Sequence, residues 1–142
     1  MPLPKLTDKI LASTKEIEEG WSLLELNEIR ATAAKNEGGG TNYFFEFEAI
    51  SGPNSMDTNK GRSATMMING KGLDSGISSV CAAYVGAICA LTGSTEEEVL
   101  GAELDENLLK GKRCWADVQR RIVDGKSYLD FRAFSPENVV PY

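Results

Sequence analysis

An Asp124-Gly125 pair between two alternating runs constrains this chain more than any other stretch. Asp-Gly supplies the positive-φ residues that a two-residue turn needs, so residues 111–134 are predicted to form an antiparallel hairpin. In the first run Cys114, Ala116 and Val118 share one face, and Arg113, Trp115, Asp117, Gln119 and Arg121 the other. In the second run Leu129, Phe131 and Ala133 share a face, opposite Tyr128, Asp130, Arg132 and Phe134. Period-two geometry thus gives one small apolar face, suited to a core. The other face interleaves Trp115, Tyr128 and Phe134 with Arg113, Arg121 and Arg132. Aromatic planes beside guanidinium groups on an open sheet stack unpaired bases and neutralise the phosphates between them. The pattern also fits a face covered by the N-terminal segment or a partner subunit, because cross-strand aromatic and Arg pairs stabilise ordinary sheets.

Elsewhere the chain reads as alternating β-pattern followed by one change of period. Residues 1–20 form an arm with a short helix: Leu6, Ile10, Leu11 and Ile17 give a thin apolar stripe, and Ser13 with Glu16 resembles a capping box. Trp21 to Ala33 reads as a first strand, with Leu24 and Leu26 facing away from Trp21, Leu23 and Glu25. Its imperfect alternation predicts a bulge or a strong bend. Lys35-Asn36-Glu37-Gly38-Gly39-Gly40 is a flexible connection. Thr41 to Ile50 is the clearest strand, with Tyr43, Phe45 and Phe47 toward the core and Phe44, Glu46 and Glu48 outward. The stretch SGPNSMDTNKG is a surface loop closed by Lys60 and Arg62, and RSATMMING is a third strand ending in a Gly-rich turn at Asn69-Gly70-Lys71-Gly72. Ile77, Val80, Cys81, Tyr84, Ile88 and Leu91 then fall at helical spacing. That predicts a helix over 75–91, with Asp74 or Ser75 as N-cap and Gly93 as its stop. Ser94 with Glu97 marks a second, acidic helix, and irregular chain follows through Leu108.

Composition narrows the classes of function. At 142 residues the chain is one domain in size, with 42% hydrophobic and 25% charged residues. No stretch is apolar enough to span a membrane, and MPLPKLTDKI lacks the pattern of a signal peptide. Three cysteines, two of them in an apolar helical run, fit buried thiols in a reducing, cytoplasmic setting better than disulfides. The net charge of −6 argues against a wholly electrostatic nucleic-acid binder, yet the charge is uneven. Residues 111–134 hold six Lys and Arg against three Asp, a local +3, whereas residues 94–109 hold six acids and no Lys or Arg.

Three strands, a helix and two strands is the element sequence of a five-stranded OB-fold barrel, β-β-β-α-β-β. The expected architecture is therefore all-β with one main helix across a barrel end. It comprises an N-terminal helical arm (1–20), the OB-fold domain (21–135) and a C-terminal tail (136–142). With that order, the small-residue helix and the run from Lys110-Gly111-Lys112-Arg113 to Tyr128-Leu129, the chain resembles phage-encoded single-stranded-DNA-binding proteins of the OB-fold type. The resemblance covers roughly residues 20–135. It implies a sequence-tolerant single-stranded-DNA-binding protein of phage replication or recombination, acting in the host cytoplasm. Bases would stack on Trp115, Tyr128, Phe134 and Phe44, and phosphates would meet Arg113, Arg121, Arg132, Lys60, Arg62 and Lys71. The implied partners are single-stranded DNA, further copies of the chain, and replication or recombination proteins. The last residues, SPENVVPY, hold one acid, Glu137, so they are not the acidic recruitment tail of the best-known examples.

Little in the sequence points to catalysis. The chain has no histidine, which removes the commonest general base, the Ser-His and Cys-His nucleophile pairs and most zinc sites. Cys81, Cys89 and Cys114 lack metal-ligand spacing, and Gly70-Lys71-Gly72 lacks the frame of a phosphate-binding P-loop. Glu96 to Glu98, Asp105 and Glu106 would be the candidates for a Mg²⁺-dependent nuclease, but consecutive acids at a helix start are better explained by the helix dipole and solvation. The expectation is a non-enzyme with no cofactor and no metal. The rival reading is an interaction module or inhibitor of the same fold, whose acidic face over 94–109 mimics DNA.

Overall fold

β1 (Gly20–Ala33) carries the sheet, because it pairs antiparallel with a neighbour on each side. In this computed structural model, which describes residues 1–35 and 38–142, its partners are β2 (Thr41–Ser51) and β4 (Arg113–Val123). β3 (Ser63–Asn69) adds to β2 and β5 (Lys126–Pro136) to β4, giving one antiparallel sheet in the order β3-β2-β1-β4-β5. The sheet is barrel-like without closing, with β3 and β5 as its two edges. α1 (Asp8–Ala12) precedes it, while α2 (Gly70–Asp74), α3 (Ser78–Thr92), α4 (Glu96–Val99) and α5 (Glu106–Leu109) lie between β3 and β4. The expected glycine-rich connection between β1 and β2 falls partly on Asn36 and Glu37, outside the described residues.

The central hairpin forms as its turn chemistry dictates. Asp124 (φ 51°) and Gly125 (φ 77°) take the left-handed backbone of a two-residue hairpin turn, and Val123 stands opposite Lys126. Further along, Asp117 pairs with Ala133 and Val118 with Phe131, so Arg132 is an extra, bulged residue. One inserted residue flips the side-chain parity beyond it. This corrects the expected faces: Phe134 turns inward to stack on Phe131 at 6.2 Å, and Ala133 leaves the core side. The ring of Phe134 lies against Gly86 of α3 so closely that a Cβ there would meet it at 2.7 Å. A second bulge, at Asn27, lets Ile29 join Leu24 and Leu26 on the core side of β1, the irregularity that its alternation predicts.

The core gathers Leu24 and Leu26 of β1, Phe45 and Phe47 of β2, Met66 and Ile68 of β3, and Val118 and Phe131 of the hairpin. α3 seals it with Ala87, Ile88 and Leu91. Tyr43, expected beside Phe45 and Phe47 in the core, is instead 37% exposed near the start of β2. Helix starts also differ from expectation. Asn69 caps α2 by accepting from the Gly72 amide, so the predicted glycine-rich turn is helical. α3 starts only at Ser78, and Gly93 ends it in left-handed backbone. The capping box belongs to Thr95 and Glu98 rather than Ser94 and Glu97. Ser13 is the C-cap of α1, whose N-cap is Thr7.

The N-terminal segment touches the body at Ala12, beside Gly61, and is anchored at its end. Ile17 is buried in the core, and the wholly buried Asn59 holds the chain beside it. Its Oδ1 accepts from the Glu18 amide at 2.7 Å, while its Nδ2 donates to the Glu18 carbonyl at 2.9 Å and Ser22 Oγ at 3.0 Å. Asn59→Ala leaves these buried groups without partners, so it should cost about 3 kcal/mol in denaturant unfolding with the m-value unchanged. A loss below about 1 kcal/mol would show that water replaces the amide.

The thiols are all free, but Cys81 and Cys89 are half-buried where full burial was expected; only Cys114 is fully buried. Burial pushes the Cys114 thiol up to about 12. Partial burial, reinforced by the Glu96 and Glu98 carboxylates, raises that of Cys89. Because only the thiolate reacts, a maleimide should label Cys81 and Cys89 in the native protein and Cys114 only after unfolding. Replacing Glu96 and Glu98 by Gln should speed labelling of Cys89.

Candidate nucleic-acid interface

Two aromatic-guanidinium pairs stand on the outer side of the sheet. Phe44 of β2 faces Arg30 of β1 in register, and the Arg30 Cζ lies 4.5 Å from the ring centroid. Arg30 Nε also meets Glu46 Oε1 at 3.3 Å, and the exposed Met67 of β3 flanks Phe44 on its other side. On the hairpin, the exposed Tyr128 pairs directly with Arg121, whose Cζ lies 5.5 Å from its ring centroid. Arg121 Nε meets Asp130 Oδ2 at 3.1 Å. In each pair a carboxylate holds the guanidinium over an accessible ring.

The hairpin end is a free-standing arm. β1 begins at Gly20 opposite Val118, so β4 beyond that point has only β5 beside it. Residues 121–128 are all exposed, Ile122 at 72%. The root of the arm is fixed by Arg120, which donates to the Ile17 carbonyl at 2.7 Å and meets Glu16 at 3.3 Å. Its backbone amide donates to Glu19 Oε1. From Arg30 along β1 to Trp21, across to Asp117 and on to Arg121 is roughly 48 Å of strand path. The two ring pairs are therefore separate stations.

Between them lies Trp115, which the structure covers. Its accessibility is 6%, and the covering chain is neither the N-terminal segment nor a partner but residues 137–142. Trp115 Nε1 donates to the Glu137 carbonyl at 3.1 Å, and the Tyr142 ring meets the indole edge-on at 5.5 Å. Ser135 Oγ donates to the Val139 carbonyl at 2.6 Å, and the Tyr142 hydroxyl donates to the Asn54 carbonyl. The expectation of an open Trp115 ring is thus corrected, as is that of an outward Phe134.

The expected phosphate contacts divide by what they already hold. Arg113 meets Glu25 at 3.1 Å and Glu137 at 4.0 Å. Arg62 donates to the Glu16 carbonyl at 2.9 Å and so helps pin the N-terminal segment. Lys60, Lys71 and Arg132 are exposed and make no ion pair among the described residues; Lys126 at the arm tip is a fourth such cation. Sequence reasoning missed Arg30, because the Asn27 bulge hides which face it takes and nothing local sets it opposite Phe44. Among the described residues, no three His, Cys, Asp or Glu side chains gather as a metal-holding group. Among the described residues, no helix is long and apolar enough to cross a membrane.

No family model and no curated protein sequence matches the chain.

If residues 137–142 screen Trp115 as described, Tyr142→Ala should increase acrylamide quenching of its fluorescence, read in a Trp21→Phe background. Quenching identical to that of the parent would mean that the other tail contacts suffice.

Proposed function

We propose that the curled sheet is an OB-fold and that the protein binds single-stranded DNA with little sequence preference, in phage replication or recombination within the host cytoplasm. The observation that carries this reading is the pair of outward aromatic rings with a guanidinium over each, Phe44 with Arg30 and Tyr128 with Arg121. Stacking platforms beside cations serve an unpaired strand, whose bases present π-faces and whose phosphates follow at each step. The strand order supports the fold assignment: the first strand lies between the second and the fourth, and the helices fall between the third and the fourth. In this reading Phe44 and Tyr128 stack bases, and Lys60, Lys71, Lys126 and Arg132 meet phosphates. Arg30 and Arg121 do both, exchanging a carboxylate for a phosphate. Trp115 joins them only when residues 137–142 are displaced.

One observation favours a second reading, an interaction module or DNA-mimicking inhibitor of the same fold. Arg30, Arg113 and Arg121 each already hold a carboxylate, whereas Glu96 and Glu97 at the start of α4 are exposed with no ion pair among the described residues.

Fluorescence anisotropy with a labelled oligo-dT, repeated with duplex DNA, separates the two. The parent should prefer the single strand. Phe44→Ala and Tyr128→Ala should each weaken binding by about 1–3 kcal/mol while leaving its salt dependence nearly unchanged, since a ring releases no counterions. Arg132→Ala or Lys126→Ala should flatten the plot of log affinity against log salt by about 0.7. A folded parent that binds no single strand would overturn the reading in favour of the interaction module.

A further inference from the structure

Two exposed apolar surfaces of this chain are opposite in charge. The first is the N-terminal arm, residues 1–15. Leu3 and Leu6 are each 76% exposed, Ile10 and Leu11 are also exposed, and no residue of α1 is buried. The arm carries Lys5, Lys9 and Lys15 against one acid, Asp8. A five-residue helix does not hold itself together in water, and the exposed Ile10 and Leu11 on it, with Leu3 and Leu6 just before it, ask for a surface.

The second is the outward side of α3. This helix has no charged residue along its 15 positions, as expected of a helix covered on every side. Yet only one side faces the core, and the other leaves Val85 39% exposed. Val85 lies in an open groove of about 520 Å³ that runs from Cys81 to Cys89 and ends at Glu96. Ser94, Thr95 and Glu96 close that end, and Glu97 and Glu98 follow directly in α4; all these acids are exposed, with no Lys or Arg through residue 109. From Cys81 to Cys89 is eight residues, about 12 Å of helix, long enough for the five-residue α1 with its exposed Ile10 and Leu11.

We propose that the chain self-associates by seating the N-terminal arm of one copy in the α3 groove of a second copy. Charge decides the occupant. The groove ends at Glu96 with Glu97 and Glu98 beside it, and the arm brings apolar side chains interspersed with Lys5, Lys9 and Lys15. The hydrogen-bonded clamps of Arg62, Asn59 and Arg120 begin at Glu16; before them Ala12 packs on Gly61, and residues 1–11 are exposed and free to reach outward. The contact needs no nucleic acid and stands whether or not the sheet binds one.

Light scattering of the full chain over a wide concentration range, without nucleic acid, tests it. The parent should show a mass above 15.4 kDa that rises with concentration and falls toward the monomer at high salt. Ile10→Asp removes the arm contact and Val85→Arg blocks the groove, so each alone should remain monomeric. Mixed, they should form a one-to-one complex, because one retains the groove and the other the arm. Since Val85→Arg sits beside the core, the exposed exchange Lys9→Glu with Glu96→Lys provides a second pair: either alone should weaken association, and the two mixed should restore it. A parent monomeric at every concentration would overturn the proposal. So would association unchanged by the arm and groove variants, or mixtures of monomeric variants that fail to recover it.

Discussion

The whole sheet depends on β1 pairing with different neighbours along its two ends. Gly20 to Glu25 bonds to β4 and Leu23 to Ala33 bonds to β2, so the two ladders overlap over only three residues, Leu23 to Glu25. A strand that leaves one partner as it gains another must bend, and the Asn27 bulge just beyond the overlap supplies the bend. Lys112 and Gly111 extend the β4 side by bonding to Leu26, the last residue before the bulge. Because the bulge also corrects parity, Leu24, Leu26 and Ile29 all reach the same core despite their odd-even mismatch. Asn59 and Arg120 then close the start of β1 by tying residues 16–19 across it, which fixes where the hairpin arm begins to project.

On the outer side, the acid-guanidinium-ring groupings are suited to exchange. The Arg30–Glu46 and Arg121–Asp130 pairs are substantially solvent-exposed, and such pairs stabilise a fold by about 0–1 kcal/mol. Opening one to admit a phosphate therefore costs the fold little, while the ring stays where its cross-strand partner holds it. Arg62 and Arg120 are different: each donates to a backbone carbonyl of the clamped segment, so removing either disturbs the architecture. Residue type alone does not separate the two groups; the partner atom does.

What the sequence reveals depends on the range of the interaction involved. The hairpin turn, the strand over Thr41 to Ser51 and the glycine stop after α3 were legible because each is set by residues a few positions apart. The outward places of Phe44 and Tyr128 were legible for the same reason, since each is set by its near neighbours ahead of the irregularity in its strand, at Ile50 and Arg132 respectively. Phe134 was misplaced because one residue at Arg132 inverts the pattern, and an arginine in a strand carries no mark of being a bulge. Trp115 was misplaced because its cover comes from residues 137–142, which read locally as no more than a tail. Arg30 escaped notice because its pairing with Phe44 is a fact of register, 14 residues apart in the chain.

The uneven charge gives the molecule two sides with opposite preferences. The hairpin segment is positive by three and the segment over 94–109 carries six acids, although the chain as a whole has a net charge of −6. A polyanion is drawn toward the arm and repelled by the helices, and a cationic segment the reverse. In the proposed readings, nucleic acid and the N-terminal arm of another copy therefore use different surfaces and do not compete. Neutralising the acidic rim would remove the preference for the lysine-bearing arm while leaving Phe44, Tyr128 and their guanidinium groups untouched. The two contacts are thus separable by charge, even though both end on one core, through α3 on one side and β1 on the other.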